Sequence, residues 1–133
     1  MSLENFTDGD LLYATKLNKN FKEVEQQTTV KSTIAGAKNG ATNSLELTKI
    51  GKIVYVTGEA KVPNANGSST TVECWAIPDG FKPKKDTNFQ TAVGAWEDTA
   101  KSLFRATTGG NIVAIVNKNS SDTHYFNSFW IIN

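Results

Sequence analysis

The sequence predicts a mainly β protein in three parts: an N-terminal α-helical segment over residues 1–33, a short neck over 34–43, and an antiparallel, jelly-roll-like β-sandwich head over 44–133. Three observations predict it. Residues 10–27 form one amphipathic segment, residues 35–43 contain no large apolar group, and the remainder divides into short apolar runs separated by turn signals.

In the N-terminal segment Ala14, Leu17, Phe21 and Val24 recur at spacings of three, four and three, which puts them in one stripe along a helix. Lys16, Asn18, Lys19, Asn20, Lys22, Glu23 and Glu25 fill the other positions. Thr7-Asp8-Gly9-Asp10 supplies N-cap candidates, and Asp10 just ahead of Leu11-Leu12 suits the positive end of the helix dipole. The helix is expected to fade at Gln26-Gln27-Thr28-Thr29. A single helix about 25 Å long, at ~1.5 Å per residue, is marginal in water, so its stripe needs a partner. That partner is either its own β-domain or further copies of the segment.

The stretch Ala35-Gly36-Ala37-Lys38-Asn39-Gly40-Ala41-Thr42-Asn43 can bury little and reads as the neck. After it, residues 44–50, 52–62, 70–77, 89–96, 101–107, 112–117 and 125–132 fit strands. Between them lie Ile50-Gly51-Lys52, Pro63-Asn64-Ala65-Asn66-Gly67, Pro78-Asp79-Gly80, Thr108-Gly109-Gly110-Asn111 and Asn117-Lys118-Asn119, all turn-forming. Strands at this spacing point to a sandwich or jelly roll. Val54, Val56, Ala60 and Val62 share one parity, while Ile53 and Tyr55 blur the alternation. One face is therefore core, and the other is partly covered. Similar alternation puts Val72, Cys74 and Ala76 on one face of their strand and Glu73, Trp75 and Ile77 on the other.

Composition narrows the function. Fourteen basic against thirteen acidic residues leave a formal net charge of +1, so no footprint for nucleic acid or an anionic membrane is visible. A single cysteine makes no intramolecular disulfide, and Cys74 between Glu73 and Trp75 reads as a small buried thiol. No apolar run is long enough to span a bilayer, and the start lacks the order of a secretory signal, so synthesis in a cytoplasm without a signal peptide and no membrane insertion are expected. With one histidine, no nucleophile elbow and no phosphate-cradling glycine loop, neither a metal site, a cofactor nor enzyme activity is expected. A carboxylate pair drawn from Glu97, Asp98, Glu73 and Asp122 is the one hydrolytic alternative, a wall-polysaccharide glycosidase.

Phe6-Thr7-Asp8-Gly9-Asp10 followed by Leu17-Asn18-Lys19-Asn20-Phe21 resembles the N-terminal segment of many bacteriophage tail-fibre and baseplate receptor-binding proteins. Ile77-Pro78-Asp79-Gly80-Phe81-Lys82-Pro83, then Gly110-Asn111-Ile112 and the closing Phe126-Asn127-Ser128-Phe129-Trp130-Ile131-Ile132 are similar to the β-sandwich heads of such proteins. The resemblance implies a virion tail protein. It implies a homotrimer whose N-terminal segments bundle and attach to other baseplate or tail proteins, and whose heads bind host cell-wall saccharide. A purely structural baseplate or fibre subunit is the alternative within that class.

Saccharide recognition needs an aromatic face for the C–H side of a sugar and planar polar groups for its hydroxyls. Two segments offer the combination: Trp96 with Glu97 and Asp98, and Asp122 with His124 and Tyr125, beside Asn127. Arg105, the only arginine, adds a fork for hydroxyls or for a phosphate of a wall polymer.

Overall fold

The computed structural model of the protein describes residues 29–94, 102–117 and 120–132. Every regular element among them is a strand: β1 Val30–Ala37, β2 Leu45–Ile50, β3 Ile53–Ala60, β4 Ala65–Asn66, β5 Val72–Ala76, β6 Thr87–Val93, β7 Ser102–Ala106, β8 Asn111–Asn117 and β9 His124–Ile131. The seven predicted runs all correspond to strands within a few residues. The expected helix, with Ala14, Leu17, Phe21 and Val24, lies outside the described residues.

Two expectations are corrected. The neck is not a connector, because Val30–Ala37 is a barrel strand with Ala35 fully buried. Small residues there do not prevent pairing, because the ladder uses main-chain groups that run along the whole strand. The head is not a two-sheet sandwich but a closed all-β barrel. Round the barrel the strands run β8, β5, β1, β2, β3, β9, β6, β7 and return to β8, with β4 extending along β8 on the side of β5.

Two strands make the closure. The first six residues of β1 pair with β2, from Val30↔Ile50 to Ala35↔Leu45, and the last two pair with β5 through Gly36↔Ala76 and Ala37↔Trp75. Likewise β6 pairs with β7 from Thr87↔Ala106 to Thr91↔Ser102, then with β9 through Ala92↔Tyr125 and Val93↔His124. In an open sandwich such strands would present rows of unpaired N–H and C=O groups. Here each crosses from one half of the molecule to the other.

The core follows from the alternation. Leu45, Leu47, Val54 and Val56 point inward, facing Phe104, Ile112 and Ala114 from the other half. At the centre, rings interlock: Trp75 and Phe126 have centroids 4.9 Å apart at 72°, Phe104 and Phe126 5.0 Å apart, and Phe89 stacks on Phe104 at 5.8 Å. A register shift between Glu73 and Trp75 on β5 changes the expected parity. Cys74 and Trp75 are consequently both buried although they are adjacent. The Trp75 Nε1–H donates to the Asn43 carbonyl at 2.6 Å, so the indole leaves no orphaned donor.

The segment between β5 and β6 plugs one end of the barrel. Phe81 is buried there, its carbonyl accepts from Trp130 Nε1–H at 2.7 Å, and Lys49 Nζ sits 4.7 Å from its ring centroid while donating to the Gly80 carbonyl. The Ile77 N–H donates to the carbonyl of Gly110, a residue at φ 97°. A Cβ there would fall 3.2 Å from the Ile77 oxygen and against Lys82, so the turn before β8 needs glycine.

Phe104 touches Trp75, Phe89 and Phe126, so Phe104→Ala is expected to lower the unfolding free energy by roughly 3–5 kcal/mol, read from the urea midpoint.

Candidate functional site

The barrel wall parts between β6 and β9. These strands share only two ladder pairs, next to which Gly94 N–H donates to the Thr123 carbonyl. At the far end Lys84 N–H donates to the Ile131 carbonyl at 2.8 Å. Between these ties no ladder pair joins the strands. Alternation turns the main-chain groups of Asn88 and Gln90 on one bank, and of Asn127 and Phe129 on the other, toward the seam. A groove of about 610 Å³ lies there, lined by Lys84, Lys85, Thr87, Asn88, Ser128, Phe129, Trp130 and Ile131.

Local contacts hold the banks. Thr87 Oγ1 donates to the Lys85 carbonyl at 2.9 Å, and the Thr108 N–H donates to Asp86 Oδ1 at 2.9 Å, which engages the one acid of this segment outside the groove. Arg105 on β7 donates through Nε to Asn88 Oδ1 at 2.7 Å. On the opposite bank Phe129 is 54% exposed and leans against Tyr55, centroids 6.2 Å apart. The groove therefore has an aromatic wall, an amide wall and basic groups at its rim, with no carboxylate among its lining residues.

Beyond Phe129 an apolar row crosses the outer surface. Val30, Ile50, Ile53 and Ile131 are successive cross-strand partners on β1, β2, β3 and β9, with Tyr55 and Phe129 paired one row along. The large apolar side chains exposed among the described residues are Val30, Ile34, Ile50, Tyr55, Tyr125, Phe129 and Ile131, all on this face. The blurred alternation at Ile53 and Tyr55 was its sequence signal.

At the other end of the seam lies a buried polar cluster. His124 Nε2 is 2.7 Å from Ser102 Oγ and 3.0 Å from Asn117 Oδ1, and its Nδ1 is 3.1 Å from the Asp122 carbonyl. Asn117 Nδ2 donates to the Val62 and Pro63 carbonyls, which fixes Oδ1 toward the histidine. A hydroxyl at that distance from an imidazole is the geometry of a nucleophile and its base. Ser102 and His124 are, however, fully buried in the barrel, so a substrate does not reach them and the cluster ties β7, β8 and β9 together. Thr91, opposite Ser102, has a buried Oγ1 without a hydrogen-bond partner among the described residues.

The predicted site residues separate accordingly. Trp96, Glu97 and Asp98 lie outside the described residues. Arg105 stands on β7 behind the groove, bonded to the lining residue Asn88, a neighbour that the sequence did not give it. His124 is interior rather than available to a ligand, and Asp122 supplies its carbonyl. Tyr125 is exposed at the opposite end of β9 from the groove. Sequence reasoning missed Lys84, Lys85, Asn88 and Phe129, since a seam between strands distant in sequence leaves no local pattern. Glu73 is paired with Lys38 at 3.2 Å on β5, four strands round the barrel from β9, so it does not face Asp122 as a carboxylate pair would. Burial pushes the Cys74 thiol up to about 11, which suits an inert core residue. No group of three metal-ligating side chains occurs among the described residues.

No protein-family model matches the sequence, and no curated protein does. Among solved structures the fold is similar to that of the receptor binding protein (gp15) of Listeria phage PSA, with a TM-score of 0.67. The likeness covers 98% of this chain and 82% of that one at 18% sequence identity. At that identity it speaks to the fold.

Burial lowers the His124 pKa, against weaker opposing effects of the Asp122 carbonyl and carboxylate. The unfolded chain therefore takes up this proton first as pH falls, so the associated stability is full above about pH 6.5 and lost below it. The thermal midpoint is expected to drop as pH falls from about 6.5 toward 5, and a His124→Gln variant to lack that step. Thr91→Val removes an unsatisfied hydroxyl at nearly constant shape and is expected to be neutral or to stabilise by up to about 1 kcal/mol in chemical denaturation.

Proposed function

We propose that this chain is a non-enzymatic virion component of a bacteriophage tail, a receptor-binding protein that recognises host cell-surface saccharide. The observation that carries the proposal is the likeness in fold to a phage receptor-binding protein along nearly the whole chain. The sequence resemblance at Phe6–Asp10, Leu17–Phe21 and the three barrel motifs supports it independently. The seam groove supports the ligand class, because it sets the exposed ring of Phe129 opposite the Asn88 amide in the way a sugar requires.

The working form is a homotrimer that joins other tail or baseplate proteins through its N-terminal segment. The outer face of β1, β2, β3 and β9 supports association, since a monomer in water seldom exposes a cross-strand row of Val and Ile beside a Tyr–Phe pair. The groove borders that face, so neighbouring subunits would stand close to the ligand. Recognition then works by avidity. Three weak saccharide contacts on one trimer, multiplied by trimers on one tail tip, raise the overall affinity on the order of a hundredfold or more.

The same apolar face favours a second reading, a structural baseplate subunit whose barrel contacts other virion proteins. Light scattering on the full chain is expected to return three times the monomer mass. Labelled full chain is expected to decorate bacterial cell walls from susceptible strains and to lose them when wall saccharides are chemically stripped. Decoration that survives stripping would overturn the saccharide reading, and a monomer would overturn the avidity mechanism.

A further inference from the structure

We propose that residues 4–13 of this chain are seated on the lysine-rich end of its own barrel, against the row Val30, Ile50, Ile53 and Ile131. The contact does not depend on the receptor reading above. Charge is divided along the barrel axis: Glu46, Glu59, Glu73 and Asp122 stand toward the end where Ala35 pairs with Leu45 and Ala60 with His124. Lys31, Lys49, Lys52, Lys84 and Lys85 stand at the other, where the apolar row crosses the sheet. The described acids of that end are already engaged, since Asp79 pairs with Lys82 at 2.8 Å and Asp86 accepts from the Thr108 N–H. Among the described residues these five lysines stand in no ion pair. Lys31 and Lys49 are direct cross-strand partners, an arrangement of like charges that destabilises a sheet unless an anion lies near. Lys49 turns its ammonium to the Gly80 carbonyl, and Lys31 is left exposed.

Residues 4–13 have the complementary character. Their charged side chains, Glu4, Asp8 and Asp10, are all acidic, and Phe6, Leu11, Leu12 and Tyr13 supply apolar groups for the row. The chain enters the described barrel at Thr29, and Val30 beside it is the first member of that row. Residues 14–29 extend about 24 Å even at ~1.5 Å per residue, whereas the row spans roughly 14 Å at ~4.8 Å per strand, so the segment reaches all of it. A symmetric second copy of this end would set lysine against lysine, which disfavours that occupant. Ile34, Tyr55, Tyr125 and Phe129, farther along the outer face, remain for contacts between subunits. Lys84, Lys85 and Ile131 also line the seam groove, so the seated segment covers that end of it.

The test is zero-length carbodiimide cross-linking of the full chain, read by mass spectrometry on isotope-labelled and unlabelled chains refolded together. Cross-links within one chain are expected from Glu4, Asp8 or Asp10 to Lys31, Lys52, Lys84 or Lys85. Their yield is expected to exceed that to Lys61, at the opposite end of the barrel, by about tenfold or more and to fall at high salt. Ile50→Ser with Ile131→Ser keeps every lysine in place and is expected to lower the yield about fivefold, with thermal melts establishing that the variant is folded. Equal yields at Lys61, or yields unmoved by the double variant, overturn the seat. Cross-links that join labelled to unlabelled chains overturn the contact within one chain in favour of a neighbouring copy. Absence of any cross-link from residues 4–13 to these lysines at low salt overturns the proposal outright.

Discussion

The closing of the barrel by β1 and β6 is the constraint on which the rest depends. Each strand pairs with one neighbour along most of its length and with another through two residues at its end. That arrangement satisfies the strand edges a sandwich would expose, and it fixes which side chains share the interior. Trp75, Phe89, Phe104 and Phe126 come from four different strands and meet only because the wall is closed. The groove is a product of the same device. Where β6 has turned toward β7 but not yet joined β9, the wall opens between two ties.

Polar groups are divided between the ends of this seam. Inside, His124, Ser102 and Asn117 satisfy one another and anchor the Val62 and Pro63 carbonyls. Buried networks of this kind hold strands in register because an unpaired member is costly. Outside, Lys84 and Lys85 line the groove together with the exposed ring of Phe129. The interior cluster thus serves the fold, and the rim is the part of the seam that meets solvent. An apolar row runs beside the groove, so a surface that covered it would reach the groove's edge.

Much of the local structure was legible in the chain. Turn residues such as Pro78-Asp79-Gly80 and Thr108-Gly109-Gly110 bounded the strands, and β-branched and aromatic runs marked their interiors. Misreadings had definite causes. Val30–Ala37 was read partly as a neck because its end, Ala35-Gly36-Ala37, is made of small residues and most of the strand is exposed, so no alternating apolar face marks it. Trp75 was placed opposite Cys74 because a bulge does not show in an alternating pattern. His124 beside Tyr125 suggested a surface pair, although alternation sends one ring inward and the other out.

By itself the sequence determined the all-β character of the barrel region, the positions of seven of its strands and the burial of Cys74. Those properties depend on local conformational preference and on the alternation of side chains, both written in consecutive residues. Tertiary structure alone decided between sandwich and barrel, joined Arg105 to Asn88 and the Lys84–Lys85 bank, and gathered Val30, Ile50, Ile53 and Ile131 into one row. Alternation is the same in an open and a closed sheet, and the deciding pairs join residues far apart in the chain, so only the paired backbone carries that information.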